Sequence, residues 1–478
     1  MGRMLTGRRV IFTEQPEINS GNIISVLQKA MFVHLQNRAD IDYLYRYYRG
    51  EQPILFRDKD VRPEICNKVV ENRANEIVSF KVGYLMGEPI QYVGRGDDVT
   101  IASAISQLND YVLSEDKACK DKEVAEWAHI CGTAYRMVLP DSRVDIEADE
   151  APFEIYTLDP RFAFVVYSTS LGNPPMMGVN YVYKENGNIV FSCYTKDKYF
   201  EIENTWAVIH EEPQILGIPI IEYPLNNARL GAFETVLPLL DAINNVESNR
   251  LDGIEQFVQS LMLFHNVDIS ADDFAKLRSE GAIKYKDIDP QFKADIEYLT
   301  SEMNQTQTQT LVNSMYDTIL TICGMPNRNG GSSTSDTGTA VIYRDGWSSA
   351  ESRAKDSELM FKRSEKEFLK IVLSICRDLS KLTLKLSAIE IRFTRRNYEN
   401  ITEKANVLIS MLNNNKIAPQ LAFIHCGMFS DPQIAYKMSA DYAEQNEQKT
   451  LEQMASLAGV HEDEDEENTD NKGVTDNV

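Results

Sequence analysis

The sequence predicts an α+β fold that is predominantly helical, and three observations carry the prediction. Apolar residues recur at threes and fours over most of the chain. A block of short β-rich runs, broken by turn residues, lies between about residues 132 and 224. Helical periodicity then returns and holds almost to the carboxyl end. With 478 residues, 43% hydrophobic and 25% charged, the chain has length for about two to four compact modules.

Ile23 to Leu35 has helical spacing, and the aromatic stretch Asn37 to Gly50 reads as a second helix whose rings pack inward while its arginines reach water. Pro63 to Gly87 is predicted helical and stops at Gly87-Glu88-Pro89. A strand over Ile90 to Val93 and helices over Ile101 to Leu113 and Asp116 to Cys131 follow. Then come seven short strands: Tyr135 to Leu139, Phe153 to Leu158, Phe162 to Ser168, Gly178 to Tyr183, Ile189 to Thr195, Tyr199 to Ile202 and Trp206 to His210. Turns such as Asp159-Pro160 and Glu185-Asn186-Gly187-Asn188 separate them, the spacing of antiparallel meanders.

After Ile218 to Pro224, a helix is predicted from Phe233 to Leu263, on the order of 45 Å long. Its apolar face carries Val236, Leu240, Ile243, Ile254, Phe257 and Leu261, and its middle is polar from Asn244 to Arg250. A compact segment, Asp268 to Thr300, separates it from a helix over Gln307 to Cys323 with Leu311, Met315, Ile319 and Ile322 on one face. Asn327 to Gly338 is rich in glycine and serine and reads as a mobile loop. The longest periodic run spans Thr339 to about Leu386, a strand covers Ile389 to Thr394, and helices cover Thr402 to Leu412, Pro419 to Cys426 and Pro432 to Leu457. Ser430 stands as N-cap of the last, with Gln433 three residues on. Beyond Val460 an acidic run predicts a disordered tail, either a solvated end or an electrostatic dock for a basic partner.

The net charge of −23 argues against a surface that grips phosphate, because that affinity comes chiefly from Lys and Arg. Residues 457–478 hold eight acidic residues and one lysine, a net −7 that leaves −16 on the body. No run approaches the roughly 20 apolar residues of a membrane span, and the amino end shows no signal peptide, so a cytoplasmic site of synthesis is expected. Seven scattered cysteines without CxxC spacing read as reduced thiols.

Catalytic constellations were sought and none emerged. There is no GxxxxGK[ST], and the glycine-rich loop lacks a phosphate-reaching lysine. Six histidines are scattered without HxxxH, Ser332 and Ser333 stand outside GxSxG, and no carboxylate set has metal-site spacing, so neither cofactor nor metal is expected. Arg95-Gly96-Asp97 reads as a polar turn.

Three stretches carry a family resemblance. Tyr48 to Tyr92, through Tyr48, Gly50, Asn67, Lys68, Asn72, Ile77, Val78, Gly83, Tyr84, Gly87, Pro89 and Tyr92, resembles the portal proteins of siphovirus-type tailed bacteriophages. Ile218-Pro219-Ile220 with Tyr223-Pro224-Leu225-Asn226-Asn227 resembles that family's entry to its stem, and Ser335 to Tyr343 the start of its post-stem helix.

The resemblance implies a portal-like wing, stem, clip and crown, with the β-rich meander inserted in the wing. Residues 1–224 would be wing, 225–267 the first stem helix, 268–302 the clip and 303–323 the second stem helix. A tunnel loop would span 324–339, a long helix returning to the wing 340–395, the crown helices 396–457 and the acidic tail 458–478. Stem packing would fall to Ile254, Phe257, Leu261, Leu311, Met315 and Ile319. The clip would hold Phe274, Ile283, Tyr285 and Phe292, as a small satellite core or as a partner surface. Asn327, Arg328, Ser332, Ser333, Thr334 and Arg344 would face the DNA channel. The family implies a non-enzymatic homo-oligomeric ring, usually a dodecamer, at the capsid portal vertex of the virion, assembled in the host bacterial cytoplasm. Its implied partners are double-stranded DNA passing without sequence specificity, the terminase large subunit, head completion and tail connector proteins, and the major capsid or scaffolding protein, with no membrane. The readings that compete with it are another virion structural protein, such as a minor capsid protein or adaptor, and a metal-dependent nuclease.

Overall fold

The computed structural model describes residues 5–95, 99–141, 150–258, 261–268, 270, 272, 286–288, 295–299, 305–327, 346–395, 401–429 and 432–466. The chain forms two compact units, residues 1–334 with 342–395, and residues 335–341 with 396–478.

In the first unit, strand β1 (Ile11–Thr13) precedes helix α1 (Ile23–Tyr48). The two helices expected over residues 23–50 are thus one, because no glycine or proline interrupts the pattern. Its first half, with Ile23, Leu27 and Ala30, belongs to one core, and its second half, with Ile41, Leu44 and Tyr47, to another.

Helix α2 spans Arg73–Leu85, so the helix predicted from Pro63 starts ten residues later. Residues 63–72 lie outside it, with backbone N–H groups bonded to side chains elsewhere in the fold. Strand β2 (Gln91–Gly94) and helices α3 (Val99–Ser114) and α4 (Lys117–Cys131) follow.

The β-rich block matches its prediction closely. β3 (Thr133–Pro140) and β4 (Phe153–Leu158) join β10 (Ile220–Pro224) in an antiparallel sheet of order β10-β3-β4. β5 (Ala163–Ser168), β6 (Pro175–Tyr183), β7 (Ile189–Tyr194), β8 (Lys198–Glu203) and β9 (Val208–Pro213) form a meander. β1 adds to it in parallel against β5, pairing Ile11 with Val166.

Helix α5 spans Leu237–Val258, about 33 Å at 1.5 Å per residue. The expected continuation to Leu263 is instead strand β11 (Leu261–His265), paired antiparallel with β14 (Asp295–Leu299). A short apolar run has no period that separates strand from helix, and the pairing partner decides it. The ribbon continues past Asn266, left-handed at φ 53°, into β12 (Val267–Asp268) against β13 (Lys286–Asp287). Helix α6 (Gln305–Cys323) returns alongside α5, and α7 (Trp347–Leu379) leads to β15 (Ile389–Arg392), which pairs with β2.

In the second unit, α8 (Ile401–Leu412), α9 (Pro419–His425) and α10 (Pro432–Glu466) follow one another. The last helix runs past its expected end at Leu457 and into the acidic run, since Glu propagates a helix readily.

Candidate functional site

The root of α5 is fixed by backbone approaches that only glycine permits. A Cβ on Gly132, at φ +82°, would lie 2.0 Å from the carbonyl oxygen of Arg229, and one on Gly7 equally close to that of Ala228. Within the Asn226 to Gly231 turn, the Asn226 side chain donates to the Leu230 carbonyl (2.8 Å) and accepts from the Leu230 N–H (3.0 Å). Arg229 pairs with the buried Glu222 through Nε at 2.6 Å and Nη2 at 2.9 Å. Thr133 and Tyr167 donate to the same carboxylate. Burial opposes ionisation of Glu222, yet Arg229 and the two hydroxyls hold its carboxyl below the usual range. Glu234, paired with the equally buried Arg8, accepts the Gly231 N–H at 2.7 Å.

Farther along α5 a ladder of buried polar side chains, Asn244, Ser248 and Asp252, faces the extended segment before α2. Asn244 Oδ1 accepts the Glu71 N–H (2.8 Å), Ser248 Oγ that of Val69 (3.0 Å) and Asp252 Oδ1 that of Asn67 (2.7 Å). Four helical residues rise about 6 Å and two extended residues about 6.8 Å, so alternate N–H groups of one meet every fourth side chain of the other. Arg57 and Lys59 also pair with Asp252. Asn72 caps α2 by accepting the Asn75 N–H, and it donates to the Tyr48 carbonyl at 2.9 Å.

α6 packs on α5 through buried Val312, Ile319, Leu320 and Cys323, in one core with Leu240 and Ile243. Its carboxyl end closes on left-handed Gly324 with a Met325 N–H to Leu320 C=O bond of 2.8 Å, a Schellman arrangement, and Lys81 Nζ caps the Cys323 carbonyl at 2.6 Å. α7 starts at left-handed Gly346, whose Cβ position is 3.7 Å from Pro326 Cα. Trp347 then meets the rings of Phe80 and Tyr84, both at 6.1 Å.

α7 is tied to the wing strands by a buried quartet of charges. Glu365 accepts from Lys117 (2.7 Å) and Arg136 (3.3 Å), and Asp121 pairs with both cations. Tyr92 and Tyr223 donate to Glu365 as well. Burial works against the charge, but Lys117 and Arg136 hold the Glu365 carboxyl below its usual range.

Of the residues named from the sequence for stem packing, Ile319 is fully buried within the chain and Met315 is partly buried. Ile254 and Leu311 are 50% and 52% exposed, so they do not pack inside the subunit. Phe257 occupies the last turn of α5, while Leu261 belongs to β11 and not to a stem helix. Asn327 donates to Asp317 at 3.0 Å. Arg328, Ser332, Ser333, Thr334 and Arg344, with the clip residues Phe274, Ile283, Tyr285 and Phe292, lie outside the described residues. The ladder and the quartet were missed. Acceptors at every fourth position in the polar middle of α5 were the signal for the first, and Lys117 with Asp121 at i and i+4 a faint one for the second.

A long helix pair, gripped at its root and joined through a two-stranded ribbon, is the build of a structural subunit of a virus particle. The family described as phage portal protein, SPP1 Gp6-like, matches residues 32–455, and the chain belongs to it. It is a portal subunit of the channel at a capsid vertex of the virion, a structural protein of a ring oligomer with capsid and tail partners. No curated protein matches the chain. Among solved structures, a chain described as the neck of an empty GTA particle, computed with C6 symmetry, is similar at 10% identity and a TM-score of 0.46, over 82% of this chain and 94% of that one. Among the described residues, no helix is long and apolar enough to cross a membrane, and no group of three or more His, Cys, Asp or Glu could hold a metal ion.

Proposed function

We propose that twelve copies of this subunit, assembled in the host bacterial cytoplasm, form the ring through which double-stranded DNA is packaged and later ejected. The subunit supplies a conduit and no bond chemistry. α5 and α6 are the stem, the ribbon of β11 to β14 belongs to the clip, the β-rich block and α7 make the wing, and the second unit is the crown. The clip meets the terminase large subunit during packaging and head completion or tail connector proteins afterwards, while the wing meets the major capsid or scaffolding protein.

The observation that carries this reading is the family match over residues 32–455. The helix pair with its intervening ribbon, in the order expected of a stem around a clip, supports it. An acidic body suits a conduit, since each phosphate held by a cation must be released before DNA advances. Electron microscopy of the purified protein tests the assembly: hollow twelve-fold rings are expected, and solid or open oligomers would reject it. Arg328→Glu tests the tunnel loop, with rings intact and DNA packaging reduced most at low ionic strength. Packaging at wild-type rate across salt concentrations would remove Arg328 from the channel.

A further inference from the structure

We propose that α10 is a fastening surface between neighbouring copies of this chain, one face of the helix seated on the opposite face of the next copy's α10. The inference rests on the ring assembly of the portal family and concerns how that ring is closed in its second unit.

Three observations carry it. The second unit buries little of its own apolar surface: in its described residues Ala422, Phe423 and Cys426 are the buried apolar side chains. α9 covers only the start of α10, where the ring of Tyr436 lies 5.8 Å from that of Phe423. From Asp441 through Leu451 every residue is exposed. Helices in proteins draw most of their stability from packing one face, so a helix bare on all sides is built for a further contact.

The two sides of α10 are unlike, and they fit each other. At about 100° per residue, Met438, Tyr442 and Lys449 fall within about 40° of one another. Ala440, Ala443 and Glu447 fall within about 60° of one another on the opposite side. The first face is bulky with a cation, Met438 and Tyr442 being 68% and 67% exposed, and the second is small with an anion. Neither face suits a copy of itself, because bulk would meet bulk and like charge would meet like charge. Each suits the other, which is the requirement for a heterologous contact that repeats around a ring. When copies run side by side, Met438 and Tyr442 come level with Ala440 and Ala443, and Lys449 with Glu447, to within about 3 Å along the axis. Large side chains then rest on small ones.

Cysteine pairing tests the arrangement. Tyr442→Cys and Ala440→Cys are placed together in the full-length chain, where they point about 160° apart and cannot join within one subunit. Mild oxidation of the rings is expected to give a ladder of covalent multimers on a denaturing gel. Each single variant is expected to give none, and a mixture of the two single variants dimers alone. Intact rings without a ladder would overturn the proposal, as would dimers from either single variant, which mark a two-fold contact. Crosslinking to a different particle protein in assembled heads would also overturn it. A wild-type chain that forms no ring at all would reject the ring and this fastening with it.

Discussion

Glu365 shows what a single side chain can hold together. Lys117 and Arg136 balance Asp121 and Glu365, and all four are buried, so the quartet is neutral as it stands. Glu365→Gln leaves one cation in excess in the interior and is expected to cost about 3–5 kcal/mol, read as a lower denaturation midpoint at unchanged slope. Acid should act at the same place. The folded carboxyls of Glu365 and Glu222 titrate below the ordinary 4.5, so their stabilisation is complete above that value and is lost as pH falls through their folded values. Burial lowers His34 and His129 to about 4, so the fold keeps them neutral where an unfolded chain would charge them. Their contribution fades as pH falls from 6.5 towards 4. A melting temperature followed from pH 8 to pH 3 should begin to fall below about 6.5 and steepen below 4.5. A flat profile down to pH 4 would contradict both assignments.

At the scale of elements, the ladder on α5 joins a helix to an extended segment through side chains instead of a shared strand. Ser248→Ala leaves the Val69 N–H without its acceptor and should cost about 1–3 kcal/mol, with faster amide exchange confined to residues 67–71. Gly132→Ala places a Cβ against the Arg229 carbonyl at a left-handed φ, so it should lower stability by more than the roughly 1–2 kcal/mol of the conformation alone. These contacts also explain what could be read in advance. The meander was legible because Asn, Gly and Pro turns punctuate alternating runs, and β4 is found at its predicted bounds, Phe153–Leu158. Residues 63–72 were misread as helix because their partners, Asn244, Ser248 and Asp252, lie far along the chain and leave no local trace. Leu261 was misread for the same reason, its strand partner Leu299 being distant. Asn67, Asn72, Tyr84 and Tyr92 stood out by resemblance alone, and each proves to hold one element to another.

For the whole molecule, exposure separates residues that make the subunit from those available to a neighbour. Ile319→Asp buries a carboxylate in the core of α5, α6 and α2, at a cost of several kcal/mol, and should give insoluble chain. Leu311→Asp changes a side chain already half in water, so a folded monomer that fails to close rings is expected by size-exclusion chromatography and electron microscopy. Rings from Leu311→Asp at wild-type yield would place that face outside the subunit contact. Removal of residues 460–478 takes away the acidic end of α10 and leaves both of its proposed fastening faces, so ring formation should persist. Loss of rings on this truncation would assign the tail an assembly role.

Pro326 and Gly346 sit side by side, so the chain leaves α6 and rejoins α7 at one point, on a base that Trp347, Lys81 and the Gly324 turn hold in place. Closing a loop on a fixed base costs entropy only as the logarithm of its length, about 0.6 kcal/mol for each doubling. The stretch between those two residues is therefore an exchangeable cassette. Related particles could lengthen, shorten or recharge it without redesigning the helices on either side, and a laboratory could graft a reporter peptide there and expect the rest of the subunit to fold unchanged.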